Sequence, residues 1–184
     1  MLSEKLKEIT KTAHIELEKV LVQKIKSIDT TNDYLEILIY FYRFFAPLEK
    51  TVISQLEDSL TDVAQRRKME WILEDVNYFS ASRPKISVYP HTPEISNPLQ
   101  AIGALYVIEG STLGGQVICK MVSQRLGITP ENGFSFFSGY GERTASMWEK
   151  FKNFINSRSW TPEEEKEVIN AAERTFTSFK QSID

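Results

Sequence analysis

Lys7, Lys11, His14 and Glu18 recur at intervals of four, three and four residues, so on a helix they share one stripe of surface. Such a stripe has a definite chemistry. A metal-ligating imidazole is more basic and rotationally fixed when its second ring nitrogen donates to an acceptor, and a carboxylate at i+4 is within reach. The chain has only two histidines, so a metal held through imidazole falls to His14 or to His91. His91 stands in the proline-rich Tyr89-Pro90-His91-Thr92-Pro93, where its orientation is less well fixed. His14 is the stronger candidate. The alternative is a solvated stripe, in which His14 pairs with Glu18 beside two ordinary surface lysines.

A second unusual segment runs from Gly103 to Gly115, which holds half of the eight glycines inside an otherwise apolar helical stretch. Each interior glycine costs about 0.8–1 kcal/mol against alanine, so four cost roughly 3–4 kcal/mol. Gly103, Val107, Gly110 and Gly114 are spaced four, three and four, which bares one face from Gly110 onward. Close packing of a second helix would explain this. So would the approach of a flat ligand, with Ser111, Thr112 and exposed carbonyls holding water above it. The paired Gly114-Gly115 also predicts a bend. The segment alone does not choose, but a histidine helix and a glycine helix together would form two walls of a flat slot.

Helical periodicity supplies the elements that must position these residues, and only Ile86–Tyr89 hints at an extended segment. A first helix is expected from about Ser3, its N-cap, to about Lys26. A second covers Tyr34–Leu56 behind a Thr30/Asp33 capping box, carries the aromatic run Tyr40–Phe45, and should kink at Pro47. A third spans roughly Thr61–Phe79. Four of the seven prolines then mark a surface crossover over residues 81–98. Pro98 opens a long fourth helix that Gly127 stops. After the aromatic loop Gly133–Gly141 come a helix near Glu142–Ser157 and a last one opened by Thr161-Pro162-Glu163-Glu164. The expectation is an all-α, single-domain bundle of six to seven helices over residues 1–184.

The composition, 41% apolar and 26% charged, is that of a soluble globule, and a net charge of −3 gives no case for nucleic acid as a partner. The single cysteine, Cys119, excludes an internal disulfide and any multi-cysteine metal site, and its apolar setting suggests an inert thiol. No signal peptide or transmembrane stretch is evident, so a cytoplasmic protein without membrane contact is expected.

At its two unusual segments the chain resembles the heme oxygenase family. The first helix is similar to the family's Leu-Ser-Glu…Leu-Lys-Glu-x-Thr-Lys-x-x-His-x-x-x-Glu opening. The fourth resembles the bacterial Tyr-Val-x-Glu-Gly-Ser-x-Leu-Gly-Gly form of the distal-helix motif, the form seen beside bacterial phytochromes. Gly139-Tyr140-Gly141 followed by Trp148-Glu149-Lys150-Phe151 is also similar. The resemblance implies O2- and electron-dependent cleavage of heme to biliverdin with release of Fe2+ and CO, heme being both cofactor and substrate. It makes His14 the proximal iron ligand, Glu18 its partner, and Lys7, Lys11 and Lys152 contacts to the propionates. Gly110, Gly114 and Gly115 become the distal wall, with Ser111 and Thr112 organising water.

Three positions depart from the mammalian-type pattern: Ser111 stands for an aspartate, Asn156 for an arginine and Leu105 for a tyrosine. No flavin or nicotinamide fingerprint is present, so electrons are expected from a ferredoxin, a flavodoxin or a reductase docking on a basic rim that includes Lys7, Lys11 and Lys152. Three rival readings remain at this level. One is a heme carrier or sensor without turnover. Another is a thiaminase-like enzyme of the same fold using Cys119 with Glu109. The last is a helical interaction module without cofactor.

Overall fold

Hydrogen bonding carries the first helix through almost the whole span that its periodicity predicts. The computed structural model, which describes residues 1–66, 68–80, 86–87, 92–129 and 132–184, places α1 at Leu2–Ile9 and α2 at Lys11–Lys26. Only Thr10 divides them, and its N–H still donates to the Leu6 carbonyl at 3.0 Å while its carbonyl accepts from His14 N–H at 2.9 Å. Ser3 is not the expected N-cap. It lies inside α1, and its N–H donates to Asn156 Oδ1 at 3.1 Å, so a side chain from far along the chain supplies the acceptor.

The Thr30/Asp33 capping box forms as expected and opens α3, Thr31–Leu56, which stays helical through Pro47. The expected third helix is shorter. Its first part is a 3-10 turn at Val63–Gln65, and α4 covers only Glu70–Phe79. Glu49 accepts the Met69 N–H at 2.9 Å and Arg66 turns inward, which takes the backbone off the helical path. Asn97 caps α5, Pro98–Leu126, by accepting from Gln100 N–H at 3.0 Å, and Gly127 at φ 64° ends it. The α-helix of α5 continues through Gly114-Gly115.

The aromatic loop contains one helical turn, α6 (Ser135–Ser138), whose first amides donate to the buried Asp75 carboxylate at 2.8 and 2.9 Å. A 3-10 turn at Gly141–Arg143 precedes α7, Thr144–Asn156, and the Thr161/Glu164 capping box opens α8, Pro162–Ile183. Among the described residues the chain has eight α-helical elements and no strand. The count exceeds expectation because Thr10 divides the first helix and α6 is a single turn. Val88, Tyr89 and His91 lie outside the described residues.

Phe41, Phe44 and Phe45 of α3 place the aromatic run in the core, with ring centroids 4.9, 5.0 and 4.6 Å from Phe179 of α8. Each such pair adds about 0.5–1.5 kcal/mol beyond burial. At the centre lies α5, buried without interruption from Ala101 to Glu109. By length and composition it is apolar enough to cross a membrane, yet 61% of that window is buried in the bundle, as in a core helix. Gly103 is what lets α8 come so close. A Cβ there would collide with the Val168 carbonyl and stand 2.8 Å from Ala171 Cβ. Gly103→Ala should therefore lower the unfolding free energy by about 1–3 kcal/mol despite alanine's better helix propensity. A urea midpoint equal to that of the unaltered chain would contradict this close approach.

Candidate functional site

Lys7, Lys11, His14 and Glu18 all reach solvent along the outer side of α1 and α2. The His14 imidazole meets the edge of Phe176 on α8, with ring centroids 5.5 Å apart at 75°. Glu18 does not hydrogen-bond His14 among the described residues, contrary to the expected orienting role. An exposed carboxylate stays hydrated, and pairing it across the surface gains little. Phe176 is thus the contact that steadies the imidazole.

The base of this stripe is anchored. Asn156 Nδ2 donates to Ser3 Oγ at 2.8 Å, returning the bond that Ser3 N–H makes to Asn156 Oδ1, and Lys5 pairs with Glu165 at 2.5 Å. The partly exposed Lys152 of α7 is held by Glu149 at 2.7 Å.

The far half of α5 has two different faces. Gly110, Leu113, Gly114 and Val117 follow the i, i+3, i+4, i+7 pattern of one stripe. Leu113 is 45% and Val117 60% exposed. A Cβ on Gly114 would meet nothing within 4 Å, and one on Gly110 would meet only Trp148, at 3.7 Å. An uncovered apolar stripe with two missing side chains suits a broad flat ligand.

The neighbouring face is packed instead. A Cβ on Gly115 would stand 2.5 Å from the Phe137 carbonyl, so this glycine serves helix–loop packing and not the ligand wall. Thr112 is 1% exposed, its hydroxyl donates to the Glu109 carbonyl at 2.6 Å, and its Cβ side faces Gly139. Thr112, expected to help organise water, is buried against the loop. Ser111 sits between the two faces, half-buried, and donates to the Ile108 carbonyl at 2.7 Å.

Tyr106 of α5 and Thr10 come near each other one turn before these features; burial holds the Tyr106 phenol above its usual value, and the nearby Thr10 side chain opposes the shift. Thr10 precedes His14 by four residues, and Tyr106 precedes Gly110 by four. Trp148 of α7 packs on Tyr106 at 5.4 Å between centroids and also lies against Gly110.

Sequence reasoning missed Leu113 and Val117 as lining residues, although their spacing from Gly110 and Gly114 was a readable signal. The thiaminase-like alternative drew on Glu109 with Cys119. The carboxylate is 1% exposed and accepts from Arg66 Nη1 at 2.7 Å and from Tyr140 Oη at 2.9 and 3.1 Å. Burial pushes the Cys119 thiol up, and its sulfur lies 3.9 Å from Ser138 Oγ. A paired carboxylate and a poorly ionising thiol do not make the nucleophilic site of the thiaminase-like alternative. A wide polar recess of about 760 Å³ runs along α8 from Glu163 to Ser178 and shares no lining residue with the face of Gly110 and Gly114.

Among the described residues no three metal-ligating side chains come together. A metal held at His14 would then have to bring most of its coordination with it, as in a macrocycle. An exposed imidazole, flanking lysines and a bare apolar helix face fit such a group. The arrangement defines an all-helical protein built to take a flat, anionic, metal-bearing ligand.

The family profile described as heme oxygenase matches residues 1–184, and the chain belongs to the heme oxygenase family. A heme oxygenase of Xanthomonas campestris pv. campestris is 28% identical over 152 residues, covering 79% of this chain and 86% of that protein. The NO- and CO-bound heme oxygenase of Neisseria meningitidis superimposes with a TM-score of 0.84 at 21% identity, over 100% of this chain and 90% of that one. The Leptospira interrogans heme oxygenase gives 0.76 at 18% identity, over 99% and 98%.

The two adjacent glycines of α5 should respond oppositely to a methyl group. In the heme-free protein Gly114→Ala should raise stability by about 0.8–1 kcal/mol, since helix propensity acts there without a clash. Gly115→Ala should lower it by about 1–3 kcal/mol. Thermal unfolding of both variants checks the contrast, and equal shifts would refute the division of faces.

Proposed function

We propose that this heme oxygenase cleaves heme to biliverdin, releasing Fe2+ and CO, with His14 as the axial ligand and the Gly110–Gly114 face as the opposite wall. The observation that carries this reading is the bare apolar stripe of α5, in a bundle whose N-terminal helices carry the exposed imidazole. Bound heme would supply the iron at which O2 is activated and would itself be consumed.

The chain's own residues divide the remaining tasks. The His14 imidazole holds the iron from one side without the strong electron donation of a thiolate. Lys7, Lys11 and Lys152 offer cations to the propionates, and Lys152 must share its charge with Glu149 to do so. Gly110 and Gly114 leave room where any side chain would block the ring, while Leu113 and Val117 keep water from its edge. Ser111 is the hydroxyl placed to order water near the reacting edge. Electrons come from an external donor, a ferredoxin, a flavodoxin or a reductase, in the cytoplasm.

Hemin titration should give a Soret band at one equivalent, and reductant with O2 should convert it to a biliverdin spectrum. His14→Ala should weaken binding and abolish turnover; full activity in that variant would end the assignment. A Soret band that persists under reductant and O2 would favour a carrier or sensor. The Lys7→Glu, Lys11→Glu double variant should raise the donor KM several-fold at low salt, with the effect shrinking as ionic strength rises. An unchanged donor KM would move docking elsewhere.

A further inference from the structure

Between Leu99 and Gly115 the only charged residue is Glu109, and it is buried one position before the bare face begins. Its carboxylate gathers three segments that are distant in sequence. Arg66, 3% exposed, comes from the turn after α3, and Asp62 grips the other side of its guanidinium, with both oxygens at 3.1 Å. Tyr140 reaches both Glu109 oxygens from the loop before α7. The Arg66 guanidinium also lies 5.5 Å from the Phe151 ring of α7.

A buried ion pair is poor value as a stabiliser, because desolvation offsets most of the attraction and apolar replacements are often as stable. Its distinctive capacity is to fix one arrangement among several. That capacity matters most here, where Gly110, Gly114 and Gly115 leave α5 few side chains by which neighbours can hold its rotation. The side chains that do hold it lie off that stripe: Glu109 to Arg66 and Tyr140, Thr112 against Gly139, and Gln116 to the Gly141 carbonyl at 2.9 Å. Gly139, at φ 57°, permits the chain reversal that turns Tyr140 back onto the helix.

We propose that Glu109, clamped by Arg66 and Tyr140, is a positioning residue that sets the rotation of the Gly110–Val117 face of α5, and through it which edge of bound heme that face presses. The second half rests on the heme reading; the first does not. Turning a helix by a few tens of degrees about its axis would replace a glycine by Leu113 or Val117 opposite the ring.

The test uses the full chain with Tyr140→Phe, Glu109→Gln and Arg66→Lys. Tyr140→Phe removes one hydroxyl at constant volume and keeps the experiment decisive if a charge variant fails to fold. Amide hydrogen exchange is first read on the heme-free protein. In Tyr140→Phe the amides of residues 110–117 should exchange at least tenfold faster, while those of α8 change less than twofold. Equal acceleration in both helices would reduce the cluster to general stability and overturn the proposal. Heme-loaded variants are then turned over and the biliverdin isomers separated. The isomer ratio should shift in Tyr140→Phe and Glu109→Gln, and Arg66→Lys should lie nearer the unaltered chain. Faster local exchange with an unchanged isomer ratio would overturn the link to regiochemistry. Because exchange needs no heme, failure of the heme reading and failure of the clamp are told apart.

Discussion

Everything in this fold depends on how closely α5 can approach its neighbours. At Gly103 the backbone of α8 occupies the space a Cβ would need, and at Gly115 the Phe137 carbonyl does the same. These two absences allow a 29-residue helix to serve as the centre of the bundle. Gly110 and Gly114 are absences of another kind, because no neighbour fills the space they leave beyond Trp148 beside Gly110. Of the helix-propensity cost of roughly 3–4 kcal/mol, the share at Gly103 and Gly115 is offset by packing, and the share at Gly110 and Gly114 is not offset in the heme-free chain.

The electrostatics follow the same division. On the buried side a lone carboxylate is fully engaged by a guanidinium and a phenol, at distances that leave little freedom. On the open side the charged groups of the stripe, Lys7, Lys11, His14 and Glu18, stay in water. Rigidity is concentrated behind the wall of the site, and adaptability lies on the side where carboxylates of a ligand would be captured.

The three departures from the mammalian-type pattern have physical roles here. Asn156 makes two hydrogen bonds with Ser3 and so anchors the start of the histidine helix, a task a longer arginine would not perform in the same way. Leu105 is 4% exposed and packs in the core beside Arg66 and Glu109. Ser111 lies at the border of the two faces of α5 with its hydroxyl drawn to Ile108. The place of a distal carboxylate is thus not taken over by Glu109, whose buried oxygens are engaged by Arg66 and Tyr140.

The helices themselves were legible because their signals are local. Capping at Thr30 and Thr161, the start at Pro98 and the stop at Gly127 each act over a few residues, and the structure shows all four. The stripe of Lys7, Lys11, His14 and Glu18 follows from helical periodicity alone, as does its shared exposure. What spacing could not decide was which partner each side of a helix meets. The pairing of Ser3 with Asn156, the burial of Thr112 and the close packing at Gly115 all arise from residues far away in sequence. Glu109 shows the limit most clearly. Its sequence context marks it as an isolated charge in an apolar run, but only the fold brings Arg66 and Tyr140 to it, because a buried carboxylate is stable only where the tertiary structure delivers its donors.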